Sequence, residues 1–95
     1  MASYSTIRFE KHALPSIQES IQLGKRMLEQ KLTVCKNRLT SFEKSKQMDT
    51  VTFLRLFEQG ELGDHKEWIE WEHLASVASI LQKKIEDLET VQYEP

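Results

Sequence analysis

The chain has 95 residues, of which 39% are apolar and 29% are charged, with three glycines, two prolines and one cysteine. This composition excludes a disordered chain, more than one domain and an internal disulfide bond. No apolar run reaches the ~20 residues of a membrane span, and the N-terminus lacks the apolar core of a signal peptide, so we expect a cytoplasmic protein.

The net charge of −2 conceals opposite charges on the two halves of the chain. Residues 1–47 contain nine Lys and Arg and four acids, which gives +5, whereas residues 48–95 contain four Lys and Arg and eleven acids, which gives −7. Opposite charges favour antiparallel pairing of the halves and bias the chain toward self-association. The basic half leaves open an alternative function as a nucleic-acid-binding helix, through Lys25, Arg26, Lys31, Lys36 and Arg38.

The first long helix is predicted to begin near Pro15. Residues 1–13 alternate only weakly between apolar and polar types, which predicts an N-terminal tail, and residues 14–95 are expected to form a single helical domain. Proline suits a first helical turn, and from there to about Lys46 the chain has no further proline and only one glycine.

An apolar seam with a seven-residue repeat follows this helix. Its residues are Leu14, Ile21, Leu28, Cys35 and Phe42, with Leu32 and Leu39 at the alternate positions. Such a repeat predicts a coiled-coil-like helix. Gln18 and Lys25 are polar residues at seam positions, so we expect looser packing toward the N-terminal end. Polar seam residues either set the register or leave a groove open for a partner.

A short linking helix and a second long helix are predicted to follow. Asp49 is a good N-cap, and Gly60 supplies the left-handed residue that commonly ends a helix. Asp64 and Glu67 match a capping box that opens the last helix. The apolar residues of that helix are spaced three and four apart: Trp71, Leu74, Ala78, Leu81, Ile85 and Leu88.

These elements predict an all-α fold, namely an antiparallel hairpin of two long helices with a short linking helix. A two-helix hairpin cannot enclose its own seam, because each helix shows its neighbour only part of its apolar stripe. We therefore expect a homo-oligomer, as a dimeric or larger bundle, or another protein that covers the remaining apolar surface.

Several residues invite a chemical interpretation, and each has a simpler structural one. Glu70 and His73 form a Glu-x-x-His pair, the spacing that di-iron bundles use, and His65 lies nearby, so a metal-binding helical bundle is an alternative function. A second such pair is missing from the sequence, however. Cys35 lies on the seam, without a histidine near it in sequence that could activate it as a nucleophile. We expect no enzymatic activity, no catalytic residue and no cofactor.

Trp68 and Trp71 lie three residues apart, at the start of the last helix. The expected role is an aromatic core that locks the junction with the phenylalanines of the linking helix. If Trp68 faces outward, it also offers an anchor to a partner, since tryptophan is enriched among interface hot spots.

The run from Met48 to Leu88 resembles a group of small helical prokaryotic antitoxin-like proteins. The shared pattern is Phe53, Phe57, the sequence GELGD at residues 60–64 and Trp71-Glu72, followed by a leucine-rich helix. The resemblance implies a non-enzymatic protein–protein interaction module, the antitoxin of a toxin–antitoxin pair, which neutralises its cognate toxin by direct binding. The candidate contact residues are Trp68, Trp71, Glu61, Glu70 and Glu72.

Overall fold

The computed structural model describes residues 3–93 and confirms the all-α prediction. A 3₁₀ helix at Lys11–Ala13 leads directly into α1 (Leu14–Lys46), which is followed by α2 (Thr50–Glu58) and α3 (Lys66–Glu89), and residues 3–93 contain no strand. The molecule is elongated, with dimensions of 55 × 28 × 17 Å. The predicted tail therefore loses its last three residues to helical structure, and its first two lie outside the described residues.

Local chemistry sets the ends of α1 and α2. Proline occupies the first turn of α1 as predicted, and Gln47 ends the helix in the left-handed conformation, with φ 53° and ψ 45°. Asp49 caps α2 by accepting a hydrogen bond from the Thr52 backbone N–H at 2.7 Å. Gly60, with φ 72°, ends α2: its N–H donates to the Phe57 carbonyl and the next N–H reaches the Leu56 carbonyl, both at 3.1 Å.

The start of α3 differs from the prediction. His65 is the N-cap, and its Nδ1 accepts a hydrogen bond from the Glu67 backbone N–H at 3.4 Å, whereas Asp64 lies one residue earlier in the loop. The capping box does not form because His65 is the N-cap, which places Glu67 at the second helical position, whereas the box requires the third. The Glu67 carboxylate instead forms an ion pair with Lys46 of α1.

The two long helices pack antiparallel. Phe42 near the end of α1 stacks on Trp71 near the start of α3, and Leu88 at the end of α3 lines the same groove as Gly24 of α1. Between these points lies an aliphatic core of Leu32, Leu81 and Ile85, against which four half-buried residues pack: Leu28, Cys35, Val77 and Ala78. Burial of each large aliphatic side chain contributes about 1.5–3 kcal/mol.

The hairpin has arms of unequal length. α1 contains 33 residues and α3 contains 24. The difference of nine residues corresponds to about 13 Å of helix. Because Phe42 of α1 stacks on Trp71 of α3 and α1 is the longer helix, the first turns of α1 extend past the end of α3. Along the predicted α1 seam only Leu32 is buried, and the residues toward the N-terminus are half-buried.

Candidate functional site

The corner where α1, α2 and α3 meet is built around Trp71. Its indole ring lies between Phe53 of α2, at 4.0 Å between centroids with an interplanar angle of 1°, and Phe42 of α1, at 5.5 Å and 8°. Phe53 and Trp71 have no exposed surface. The predicted aromatic core is confirmed here, and it joins all three helices through one stack of rings.

A short hydrogen-bond chain satisfies the polar end of this tryptophan. The Trp71 Nε1–H donates to the Thr50 hydroxyl at 3.1 Å, and that hydroxyl donates to Glu43 Oε2 at 3.0 Å. The Thr50 backbone N–H donates to the same Glu43 oxygen at 2.8 Å. A carboxylate from α1 therefore lies at the N-terminus of α2, where the helix dipole favours negative charge.

Trp68 occupies the rim of the corner. It is half-buried, with its ring 5.8 Å from Phe53 and 6.2 Å from Trp71, and the Lys46 ammonium lies 5.2 Å from its ring centroid. Lys46 also pairs with Glu67, and this hydrogen-bonded cation holds the pKa of the Glu67 carboxyl below its ordinary value. Trp68 thus combines a packed inner edge with an accessible outer one.

The predicted contact residues do not form one surface. Trp71 has no exposed surface, so it stabilises the corner and is unavailable to a partner in this fold. Trp68 and Glu72 share a flank of α3 because they lie four residues apart. Glu70 is two residues from each of them, about 200° around the helix, and it pairs with Arg38 of α1. Glu61 is exposed in the loop before α3.

The residues of the metal-binding alternative are dispersed or occupied. The Glu70 carboxylate accepts a hydrogen bond from Arg38, and His65 caps α3 through Nδ1. In the part of the chain that the structure describes, no three His, Cys, Asp or Glu side chains form a group that could hold a metal ion.

The basic residues of the nucleic-acid alternative fall on three sides of α1, since successive residues turn by about 100° around a helix. Lys25 and Lys36 share one side, Lys31 and Arg38 share a second, and Arg26 lies on a third. Arg38 is in addition paired with Glu70. The residues therefore do not line up as a basic stripe that could follow a phosphate backbone.

Sequence reasoning missed a second apolar surface on α1, which we term the outer stripe: Leu23, Met27 and Val34. These side chains are 52%, 51% and 59% exposed. Spacings of four and seven residues place them within about 40° of one another, away from the seam. The spacing of these three residues is present in the sequence, but it is shorter and less regular than the seven-residue repeat of the seam on the other side of the helix.

No helix within residues 3–93 has the length and apolar character needed to cross a membrane. The cysteine thiol is free and half-buried against the aliphatic core. No family model matches the chain, and no curated protein or solved structure is significantly similar to it.

Proposed function

We propose that this chain is a non-enzymatic protein–protein interaction module of the cytoplasm, which forms homo-oligomers and acts as the antitoxin of a toxin–antitoxin pair. In this role it neutralises the toxin by covering its surface, which requires no active site and no cofactor. The resemblance of residues 48–88 to antitoxin-like proteins suggests the toxin as partner, and the surface of the hairpin suggests how it is bound.

The outer stripe is the observation that carries this proposal. Its three side chains expose more than half of their surface, although each is large and apolar. At about 1.5 Å per residue, the stripe extends over about 17 Å of α1, which is enough to receive two or three turns of a partner helix. Burying such side chains in a complex removes apolar surface from water and favours association.

Charges beside the outer stripe indicate what kind of surface it would bind. Arg26 and Lys31 border it on its two sides, and between residues 3 and 93 neither of them forms an ion pair. A partner segment with apolar residues flanked by carboxylates would complement this arrangement. We therefore expect an amphipathic, acidic segment of the toxin at the outer stripe.

A second contact area is proposed on the acidic flank of the corner. Trp68 and Glu72 face the same way on α3, and Glu61 lies in the preceding loop. An aromatic side chain with an accessible outer edge is a suitable anchor at the margin of an interface. A basic patch on the toxin would be attracted to this flank, and the attraction would increase the association rate more than the final affinity.

The test uses the protein encoded by the neighbouring gene, purified and titrated calorimetrically into this chain. We expect binding that neutralises the activity of that protein. Replacing all three stripe residues (Leu23→Ser, Met27→Ser, Val34→Ser) should raise Kd at least tenfold, since a tenfold change requires only about 1.4 kcal/mol. Circular dichroism should show unchanged helicity, because the stripe lies outside the core.

The control replaces an exposed isoleucine of α3 away from both proposed contact areas, Ile80→Ser, which is 53% exposed in the wild type. This variant should bind the neighbouring protein as the wild type does. Equal affinity of the stripe variant and the wild type would contradict the stripe as the contact. Failure of the neighbouring protein to bind the wild-type chain would overturn the antitoxin role itself.

A further inference from the structure

The open end of the hairpin carries an apolar groove where α1 extends past α3. The groove has a volume of about 410 Å³ and is lined chiefly by Ile17, Ile21 and Leu88, with Ser16, Ser20 and Gly24 along its side. Ile17, Ile21 and Leu88 are half-buried. The α1 seam therefore continues into a groove at the end of α3, where its apolar residues are only partly covered within residues 3–93.

The groove allows another helix to approach closely. Ser16, Ser20 and Gly24 are small residues spaced four apart, which brings them to one edge of the groove. A Cβ atom added at Gly24 would meet no atom within 4 Å. Small residues at such spacing let two helix backbones lie near each other.

Charges at this end indicate which helix fits. The last turn of α3 contains Glu86, Asp87 and Glu89 and no basic residue. The approach to α1 contains Arg8 and Lys11, with Glu10 between them, and the first turn of α1 has no acidic residue. Both arrangements oppose the helix dipole, which favours acids at an N-terminus and bases at a C-terminus.

Within one chain these charges do not neutralise one another. The ion pairs among residues 3–93 are Arg38–Glu70, Lys46–Glu67 and Lys83–Asp87, and none of them joins the start of α1 to the end of α3. Among residues 3–93, Arg8 and Lys11 therefore have no acidic partner, and Glu89 has no basic partner. The basic residues before α1 and the acidic residues at the end of α3 complement each other, and a second copy would bring one group against the other.

We propose that two copies of this chain pair through their open ends, with the first turns of one α1 lying antiparallel to those of the other. This pairing names the surface of the homo-oligomer and rests on that part of the proposed function. In this pairing, the first turns of each α1 lie on the axis of the partner copy's α3, beyond the residue where that helix ends. The groove of each copy then covers that of the other, as a twofold interface requires.

The same arrangement places opposite charges of the two copies next to each other. The N-terminus of α1 in one copy faces the C-terminus of α3 in the other, so the two helix dipoles align head to tail. Lys11 of each copy comes near Glu89 of the other, and the basic approach to α1 meets the acidic last turn of α3. The outer stripe begins at Leu23, at the margin of the interface, and Met27 and Val34 lie beyond it along α1 and remain open to a toxin.

The decisive variant is Gly24→Gln, measured by sedimentation equilibrium over a range of concentrations. Because the position faces open space and glycine is a poor helix former, we expect the single chain to fold at least as well as the wild type. The longer side chain should hold the second α1 away and raise the dimer Kd at least tenfold. The matched control is Met27→Gln, one turn further along on the outer stripe, which should leave dimerisation unchanged.

A charge reversal checks the register. Glu89→Lys should weaken the dimer at low salt, and adding Lys11→Glu in the same chain should restore most of the lost affinity. A monomeric wild type at millimolar concentration would overturn both the pairing and the homo-oligomer. A dimer that Met27→Gln disrupts and Gly24→Gln does not would overturn the end pairing alone, and would move self-association to the outer stripe.

Discussion

The two ends of the hairpin differ in how completely their side chains are buried, hydrogen-bonded or paired within the chain. At the corner, Trp71 is enclosed by rings from two other helices, its indole N–H is hydrogen-bonded, and Lys46 pairs with a carboxylate of the neighbouring helix. At the open end, the apolar residues of α1 are half-buried and the charges of the two helices are unpaired with each other.

We therefore expect the two ends to contribute to different processes, the corner to folding and the open end to association. The corner specifies the hairpin, because it positions all three helices through contacts within one chain. The open end adds little to that specification and presents apolar and charged groups that a second molecule could satisfy. Changes at the corner should therefore act on stability, and changes at the open end on assembly.

The largest effect is expected from Trp71→Ala. Removing a fully buried aromatic ring from the centre of a stack typically costs about 3–5 kcal/mol, which is most of the stability of a domain this small. Urea unfolding followed by circular dichroism should show a largely unfolded variant. Leu88→Ala, near the other end of the same helix, serves as the comparison: it should unfold close to the wild type at concentrations below the Kd of the proposed dimer. Equal destabilisation by both variants would remove the distinction between the two ends.

A smaller effect is expected from Thr50→Val. The change keeps the shape of the side chain, but it leaves the Trp71 indole N–H without an acceptor and removes one of the two hydrogen bonds to Glu43. An unsatisfied buried donor costs about 1–3 kcal/mol. Thermal unfolding measures this cost. Thr40→Val is the matched control, since that exposed hydroxyl bonds only a carbonyl of its own helix; a similar loss in both variants would show that the corner hydrogen bonds contribute nothing specific.

The smallest effect is a pH dependence from Asp49. The hydrogen bond from the Thr52 backbone N–H lowers the pKa of this carboxyl below its ordinary value. A carboxyl with a lowered pKa stabilises the fold above its unfolded-state pKa, near pH 4, and loses that contribution as the pH falls through the folded-state pKa. The difference in Tm between the wild type and Asp49→Ala should therefore be a few degrees at pH 7 and should shrink near pH 3.

Asp64→Ala provides the control for this pH series. It removes a carboxylate from the neighbouring loop, and because His65 caps α3, the Tm should hardly change at either pH. A loss of Tm at pH 7 as large as that of Asp49→Ala would restore Asp64 to the capping role that its position in the sequence had indicated. A Tm difference for Asp49→Ala that stays constant with pH would show that the charge of Asp49 is not involved.

Some features of the corner could be predicted from the sequence and others could not. The pairing of tryptophans with phenylalanines indicated an aromatic core at the junction. The apolar spacing of α3 begins at Trp71, which indicated that this tryptophan faces the core, whereas the exposure of Trp68, three residues earlier and beside that stripe, was left open. Among the five predicted contact residues, the structure encloses Trp71 and pairs Glu70 with Arg38, and both outcomes depend on where the other helices lie.

By itself, the sequence determined the helices and the ends that depend on local bonds. These ends are set by the proline at the start of α1, the Asp49 cap and the left-handed Gly60. Each of them acts within a few residues, so it does not depend on how the helices pack. Only the tertiary structure decided the rest. Glu67 pairs with Lys46 of α1 and completes no capping box, and α3 is nine residues shorter than α1, which leaves the groove at the open end. Such outcomes depend on which side chains distant helices bring together, and this information is absent from any single stretch of sequence.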